Sequence, residues 1–552
     1  MTRLKITLSI GKIVEVERGV EFYTLIKNNY EDEKLPVILG KLNNKLFELT
    51  APIEEEGYFD VVRIDDKIAN RAYAKTLQFV LIKAVFDLFP NSKITIEHSL
   101  SKGIFGEIHK EKALDTEDVL KIKERMNEII KKDIPIKKIS IKRETAINIF
   151  GSYGMLDKVK LLKYVKNDEI KLYELDGRYD YFYGSLAYST GVLKYFDLMY
   201  HEPGLLLRFP EETNPTELPA FIEQKKLEKI FNETEQWLNI LDVADVGSLN
   251  DKVESEELND LIMVSEALHE KKIAYIADMI HDRKEVKIVL IAGPSSSGKT
   301  TFSKRLAIQL RVNGLIPISI SLDDYFINRD CTPLDEDGNP DFESIHALDL
   351  ELFNKHLNLL LEGHKVELPS YNFITGNREW IGHEINLPQN GILLIEGIHG
   401  LNDMLTSSIP DHNKFKVYIS ALTQLNIDNH NRIATTDVRK VRRIVRDYLS
   451  RGYGGEVTLL MWPAIKRGEE KNIFIYQEQA DVMFNSVLVY ELSVLKKYVI
   501  EELLKIQSDS PVYYESLRLI SFLKFFKEIE SNRVPENSIL REFIGGSCFY
   551  KY

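Results

Sequence analysis

Eight consecutive residues, Gly293-Pro294-Ser295-Ser296-Ser297-Gly298-Lys299-Thr300, fit the pattern G-x-x-x-x-G-K-[ST]. That spacing is suited to binding phosphate. The glycines let backbone N–H groups turn inward around an anion, and a helix opening near Thr300 and Thr301 adds the positive end of its dipole. Lys299 would bridge phosphate oxygens and also act in catalysis, while the Thr300 hydroxyl would hold Mg²⁺ of a bound ATP. The expected nucleotide contacts are Gly293, Ser295, Ser296, Ser297, Gly298, Lys299, Thr300 and Thr301. Two carboxylates stand where they could complete the chemistry. Glu396 follows the apolar run Leu393-Leu394-Ile395, at the kind of strand end where open α/β sheets bind ligands, and is the expected second partner of the metal. Asp323, in Ser321-Leu322-Asp323-Asp324-Tyr325-Phe326, could accept the proton of an attacking hydroxyl, with Tyr325 or Phe326 walling the acceptor pocket. No N-K-x-D guanine reader accompanies the loop, which leaves phosphoryl transfer to a small molecule as the leading chemistry.

The elements that must position these residues begin at Val286. Lys287–Ala292 is an apolar strand suited to burial on both faces, and candidate strands recur at 317–321, 391–395 and 415–419, spaced for helices between them. Residues 286–505 therefore read as a doubly wound, parallel-sheet α/β domain. Before it, residues 1–62 alternate as short strands and turns in a small α+β unit. A helix is expected from about Ala69 to Phe89, stopped by Pro90, and another opens at Asp115-Thr116-Glu117-Asp118. A helical connector is expected over 216–285, with Trp237, Leu238, Ile240 and Leu241 as buried anchors. A C-terminal helical extension, 506–552, completes a multidomain α/β and α+β chain.

Bulk properties agree with such a molecule. A chain of 552 residues exceeds one hydrophobic core. Its formal net charge of -13 argues against a protein whose main task is neutralising a nucleic-acid backbone. Two cysteines, Cys331 and Cys548, lie far apart without C-x-x-C spacing, so neither a disulfide framework nor a thiolate zinc site is expected. No apolar run approaches a membrane span, and a cytoplasmic location is expected.

Residues 286–490 resemble the uridine kinase and phosphoribulokinase group. Six motifs occur in the family's order: the phosphate loop, Ser321 to Tyr325, Phe342-Glu343, Pro369-Ser370-Tyr371-Asn372-Phe373, Glu396-Gly397-Ile398, and Arg443-Ile444-Val445-Arg446-Asp447-Tyr448-Leu449-Ser450-Arg451-Gly452. The resemblance implies Asp323 as general base, Glu396 assisting Mg²⁺, and Tyr371 contacting the acceptor. Glu343 takes the place of the aspartate that holds ribose hydroxyls, and Arg443, Arg446 and Arg451 would lie in or beside a lid over the phosphates. Two positions depart from the pattern. Gly376 stands where uridine and cytidine kinases carry a base-reading histidine, and Tyr453 where a further arginine follows R-G. Tyr453 and Trp462 could stack on a different base or sugar.

Residues 1–62 also resemble the TGS domain of threonyl-tRNA synthetase, and 63–215 its editing-type domain. The second likeness rests on Ala84-Val85-Phe86-Asp87-Leu88-Phe89-Pro90, Ile94-Thr95-Ile96-Glu97-His98, Gly103-Ile104-Phe105 and Leu114-Asp115-Thr116-Glu117-Asp118-Val119. The editing domain's H-x-x-x-H and C-x-x-x-H pairs are missing: Lys75 and Phe79 occupy the helix, and Phe182-Tyr183-Gly184-Ser185-Leu186 supplies neither Cys nor His. Editing chemistry is not expected.

Three readings stay open. The first is an ATP- and Mg²⁺-dependent kinase of a nucleoside or related sugar-containing acceptor. The second is a nucleotide-binding regulatory protein that contacts tRNA or ribosomal RNA through its N-terminal half. The third is a sugar-phosphate kinase of phosphoribulokinase type. A homo-oligomer is compatible with each, and no membrane partner is expected.

Overall fold

Period-two alternation sends Leu4, Ile6 and Leu8 to one face of the first strand and polar residues to the other. In the computed structural model, which describes residues 3–30, 34–335 and 338–550, that strand lies within a five-stranded sheet. Its members are β1 (Arg3–Leu8), β2 (Ile13–Glu17), β3 (Val37–Leu42), β4 (Lys45–Glu48) and β5 (Gly57–Arg63), ordered β2-β1-β5-β3-β4. The pair β1 and β5 runs parallel. Asn43 and Asn44, both at positive φ, turn β3 into β4. Helix α1 (Phe22–Asn29) closes the core with Phe22 and Leu25 against Phe59.

The next region is built round α2 (Lys67–Leu88), which Asp66 caps by accepting from the Ile68 and Ala69 N–H groups. It ends one residue earlier than expected, with Phe89 as the last position before Pro90. Beside it lie β6 (Lys93–Leu100) and β7 (Gly103–His109), then α3 (Thr116–Lys131), β8 (Lys137–Lys142), α4 (Arg143–Ser152) and α5 (Leu156–Lys163). The strands β9 (Glu169–Leu175), β10 (Arg178–Asp180), β11 (Asp197–His201) and β12 (Gly204–Arg208) complete two antiparallel sheets, β10-β9-β8 and β11-β12-β7-β6.

Three helices follow, α6 (Lys225–Leu241), α7 (Val246–Glu254) and α8 (Leu258–Asp282). The buried stripe of α6 is Leu227, Ile230, Phe231, Thr234 and Leu241. Ile240, expected to be an anchor, falls off that stripe and is 62% exposed, and Trp237 and Leu238 are only half-buried.

The phosphate-loop region contains β13 (Ile288–Ala292), α9 (Lys299–Val312), β14 (Ile316–Ser321), α10 (Leu350–Leu361), β15 (Val366–Asn372), β16 (Asn377–Ile385), β17 (Gly391–Glu396) and β18 (Lys414–Ser420). After these come α11 (Thr435–Arg446), a π turn over Asp447–Arg451, α12 (Gly455–Asn472), β19 (Val482–Asn485) and α13 (Glu491–Leu503). The main sheet is wholly parallel, in the order β14-β17-β13-β18-β19. All five side chains of β13 are buried: Val289 and Ile291 enter one core with α9, α11 and α13, while Ile288 and Leu290 enter another with α10. β15 and β16 form a separate hairpin.

Helices α14 (Tyr513–Leu523) and α15 (Arg541–Ile544) return to this region. Ile273 and Ile276 of α8, Leu519 and Phe522 of α14 and Phe543 of α15 share one core with Val289 and Phe302, so the preceding helices and the C-terminal segment pack with the parallel sheet as one body. The N-terminal half is hydrogen-bonded to it: the Ile96 N–H donates to the Asn429 carbonyl at 2.7 Å and Asn426 Nδ2 donates to the Ile96 carbonyl at 2.9 Å. Among the described residues no helix is long and apolar enough to cross a membrane.

Candidate functional site

Three neighbouring parallel strands end together. β13 runs into the phosphate loop, β14 into a 3₁₀ turn carrying Asp323, and β17 ends at Glu396, which pairs in register with Ile291 on one side and Ser321 on the other. The sheet therefore brings Lys299, Thr300, Asp323 and Glu396 to one edge, the position that strand-end chemistry requires.

The loop's backbone needs its glycines. A Cβ at Gly293 would lie 2.0 Å from the Ile419 carbonyl oxygen, and Gly298 has φ +87°. Lys299 Nζ donates to the carbonyls of Gly293 at 2.9 Å and Pro294 at 3.2 Å. Burial pulls its ammonium below the usual value, while Glu396, Glu542 and Asp323 push it back up. The Ser296 and Ser297 hydroxyl oxygens are buried without a hydrogen-bond partner among the described residues, which fits a cradle built for an oxygen-rich ligand.

The Thr300 hydroxyl lies 3.2 Å from both Glu396 oxygens. Burial pushes Glu396 up to about 7, helped by Glu542 and Asp323 and opposed chiefly by Lys299. This all-oxygen pair suits Mg²⁺, a hard cation that keeps few protein ligands. Asp323 has solvent access at the cleft surface although protein crowds it; that crowding raises its carboxyl, and Lys299, Arg451 and Arg446 lower it.

The expected arginines gather on one fully buried carboxylate, Asp447. Arg443 Nε reaches it at 3.1 Å, Arg446 Nη2 at 2.9 Å and Arg451 Nη1 at 3.7 Å. Arg443 also donates to the Ser295 hydroxyl at 2.6 Å. Burial, with Arg446 next, brings its guanidinium down to about 10. Glu343 lies against Gly468 of α12; burial and then Glu469 push it up to about 7, while Arg443 and Lys299 oppose.

Tyr325 corrects the sequence reading. Its ring is buried against Phe353 and its hydroxyl meets His356 Nδ1 at 3.0 Å, because the 3₁₀ turn rotates it into the core instead of the cleft. Phe326 instead joins Tyr371 and Phe373 in an aromatic cluster. Tyr371 donates its hydroxyl to the Gly376 carbonyl at 3.2 Å. Gly376 sits at φ +73° in the turn between β15 and β16, with a prospective Cβ 2.9 Å from Arg329. Tyr453 is 48% exposed at the start of α12, and its N–H donates to the Asp447 carbonyl. Trp462 is 3% exposed beneath Arg439 and Lys440, so it does not offer a free face for stacking at this cleft.

Several contacts were not anticipated from sequence. Arg439 Nε donates to the Ser295 carbonyl at 3.0 Å and pairs with Glu469, which in turn accepts from the Ser295 N–H at 2.9 Å. Arg442 makes a bidentate pair with Glu491 and reaches the Ser296 carbonyl at 3.4 Å. The spacing Arg439, Arg442, Arg443, Arg446 is a helical stripe, a signal that could have found them. Glu542 of α15 accepts from the Thr301 N–H and hydroxyl, both at 3.0 Å, and Tyr550 meets the same hydroxyl at 2.7 Å. Nothing in the local sequence marks these residues.

The residues that stand in place of the editing pairs are engaged in packing. Lys75 donates to the Tyr183 carbonyl and sits over the Tyr183 ring, Phe79 packs on Phe182, and the Ser185 hydroxyl meets that of Tyr514 from α14 at 3.4 Å.

Comparison with known proteins finds a partial match in each half. The model of the Phosphoribulokinase / Uridine kinase family matches residues 288–493. The N-terminal part is similar to the threonine–tRNA ligase of Caldanaerobacter subterraneus subsp. tengcongensis, 30% identical over 195 residues, covering 35% of this chain and 30% of that one. The chain spans about a third of the length of the curated relatives it matches. Among solved structures, a possible uridine kinase from Bacillus stearothermophilus is 23% identical, covers 36% of this chain and 89% of its own, and has a TM-score of 0.24. D-glycerate 3-kinase from Cryptococcus neoformans var. grubii is 14% identical, covers 48% and 89%, and has a TM-score of 0.22. The match over β13 to α13, with the six ordered motifs inside it, makes the C-terminal region similar to the phosphoribulokinase/uridine kinase family, and it follows an N-terminal region similar to threonine–tRNA ligases.

Proposed function

We propose that the chain is an ATP- and Mg²⁺-dependent kinase whose acceptor is a hydroxyl of a nucleoside or related sugar-containing small molecule. The observation that carries this reading is the convergence of Lys299, Thr300 with Glu396, and Asp323 at three adjacent strand ends.

In this reading Lys299 exchanges its two loop carbonyls for phosphate oxygens, and the Ser296 and Ser297 hydroxyls gain acceptors. Thr300 and Glu396 would hold Mg²⁺, which would supply neutralisation of phosphate charge. Asp323 takes the proton of the attacking hydroxyl. Arg443, Arg446 and Arg451, preassembled on Asp447, present guanidinium charge toward the transferring group, with Arg451 also contacting the nucleotide. Glu343, Tyr371 and Tyr453 are assigned to the acceptor. Gly376 removes the side chain by which the family reads a pyrimidine, which favours recognition through the sugar and keeps a sugar phosphate as the alternative acceptor.

The test is ADP release against a panel of nucleosides, sugars and sugar phosphates, with wild type beside Asp323→Asn. Acceptor-dependent turnover that Asp323→Asn abolishes supports the kinase and names its substrate. Tight ATP binding without turnover on any acceptor would transfer the assignment to an RNA-linked switch, the reading favoured by the threonine–tRNA ligase-like N-terminal region.

A further inference from the structure

A second recess, with a volume of about 180 Å³, lies between the N-terminal half and the phosphate-loop region. Cations from both halves line it: Lys67 and Arg71 from the start of α2, Lys440 from α11 and Lys466 from α12, with Glu212 as the single acidic lining residue. Carboxylates around the recess answer part of this charge. Glu515 pairs with Arg71 at 2.9 Å and with Lys440, and Lys466 meets Glu212 at 3.5 Å and Glu470 at 3.1 Å. Among the described residues no salt bridge holds Lys67. It is the first residue of α2, where the positive end of the helix adds to its neighbours' charge. Burial, followed by Arg71, Lys466 and Lys440, brings its ammonium down to about 8. Trp462 forms part of the wall, and its buried indole N–H has no acceptor among the described residues.

Converging ammonium and guanidinium groups repel one another in a partly desolvated space, and an anion relieves that repulsion. Every cation here is a hydrogen-bond donor with no acceptor capacity, so the complementary ligand is an oxygen-rich anion; phosphate, with up to two charges and several acceptor oxygens, matches best. The recess is sized for one such group with a small substituent.

We propose that this recess is a binding site for a phosphate-bearing small molecule, either free phosphate or a phosphomonoester, separate from the phosphate loop. Isothermal titration calorimetry on the full chain would use inorganic phosphate and ribose 5-phosphate as probes, in a Lys299→Ala background that silences the loop. One site should remain, and adding Lys67→Met, or independently Lys466→Met, should weaken it at least tenfold while thermal melting confirms an intact fold. In a Trp237→Phe, Trp380→Phe chain, the emission of Trp462 should shift on saturation. Tighter binding of ribose 5-phosphate assigns a phosphomonoester, and equal binding assigns the free ion. Loss of all phosphate binding with Lys299→Ala alone, an unchanged affinity in both recess variants, or a response to tRNA but to neither small probe would overturn the proposal.

Discussion

Two regions of this molecule concentrate buried charge, and they hold it in different ways. In the seam between the halves, Lys158 of α5 lies 3.0 Å from Asp180 and 2.7 Å from Asp428, and His430 meets Asp180 at 2.6 Å. Burial alone would pull the Lys158 ammonium down, but the two aspartates more than offset it and hold it above its ordinary value. At the two groups that face the phosphate and metal positions the arrangement differs: Lys299 rests on neutral carbonyls, and Glu396 on a threonine hydroxyl. There burial prevails, so the lysine is lowered and the glutamate raised. Fixed counter-charges lock a structure; neutral partners leave charge that a ligand can complete.

Breaking each region should therefore produce a different failure. The largest expected effect is at the cleft: Asp323→Asn should reduce kcat by about 10²–10⁴-fold, with an unchanged melting temperature, measured by steady-state ADP release. Full turnover in that variant would remove Asp323 from the mechanism. At the seam, Lys158→Met removes the cation shared by buried Asp180 and Asp428 and should cost about 3–5 kcal/mol in urea unfolding, while any ATP affinity of the folded fraction persists. Loss of nucleotide binding without loss of stability would erase the distinction drawn between the regions.

Titration should separate them by sign. Glu396 and Glu343, both raised from 4.5 to about 7, keep protons in the folded chain that the unfolded chain has released. Their contribution makes stability fall as pH rises from about 4.5 to 7 and level off above it, and Glu396→Gln with Glu343→Gln should flatten that slope. Asp180 behaves oppositely: burial would raise it, but Lys158 and His430 prevail and hold it below its ordinary 3.8. Its contribution is complete above that value and is lost as pH falls further. Stability measured from pH 2 to 8 in wild type, the double variant and Asp180→Asn checks both directions.

The smallest expected effect is at Glu542, whose carboxylate occupies the Thr301 amide. Glu542→Gln removes an anion from the end of α9 where phosphate is expected, and should lower the KM for ATP by about two- to fivefold. An increase in KM would instead make the carboxylate a contributor to nucleotide binding.

Much of this was legible along the chain. The apolar run of β13 and the glycine spacing after it specify a strand, a loop and a helix because each depends on local sterics and periodicity. The strand-end positions of residues 323 and 396 were legible for the same reason. Tyr325 was misread because one 3₁₀ turn decides whether an aromatic side chain enters the cleft or the core, and Ile240 because an apolar residue can lie one step off a buried stripe.

Sequence alone thus determined the parallel-sheet class and the glycine-spaced loop between strand and helix, both carried by residues close together in the chain. Only the tertiary structure decided that Glu542 and Tyr550 meet Thr301, that Tyr514 of α14 meets Ser185, and that Lys67 converges with Lys440 and Lys466. Those contacts join residues separated by hundreds of positions. Packing selects them, and no local pattern of propensity or spacing encodes which distant side chains will share one buried space.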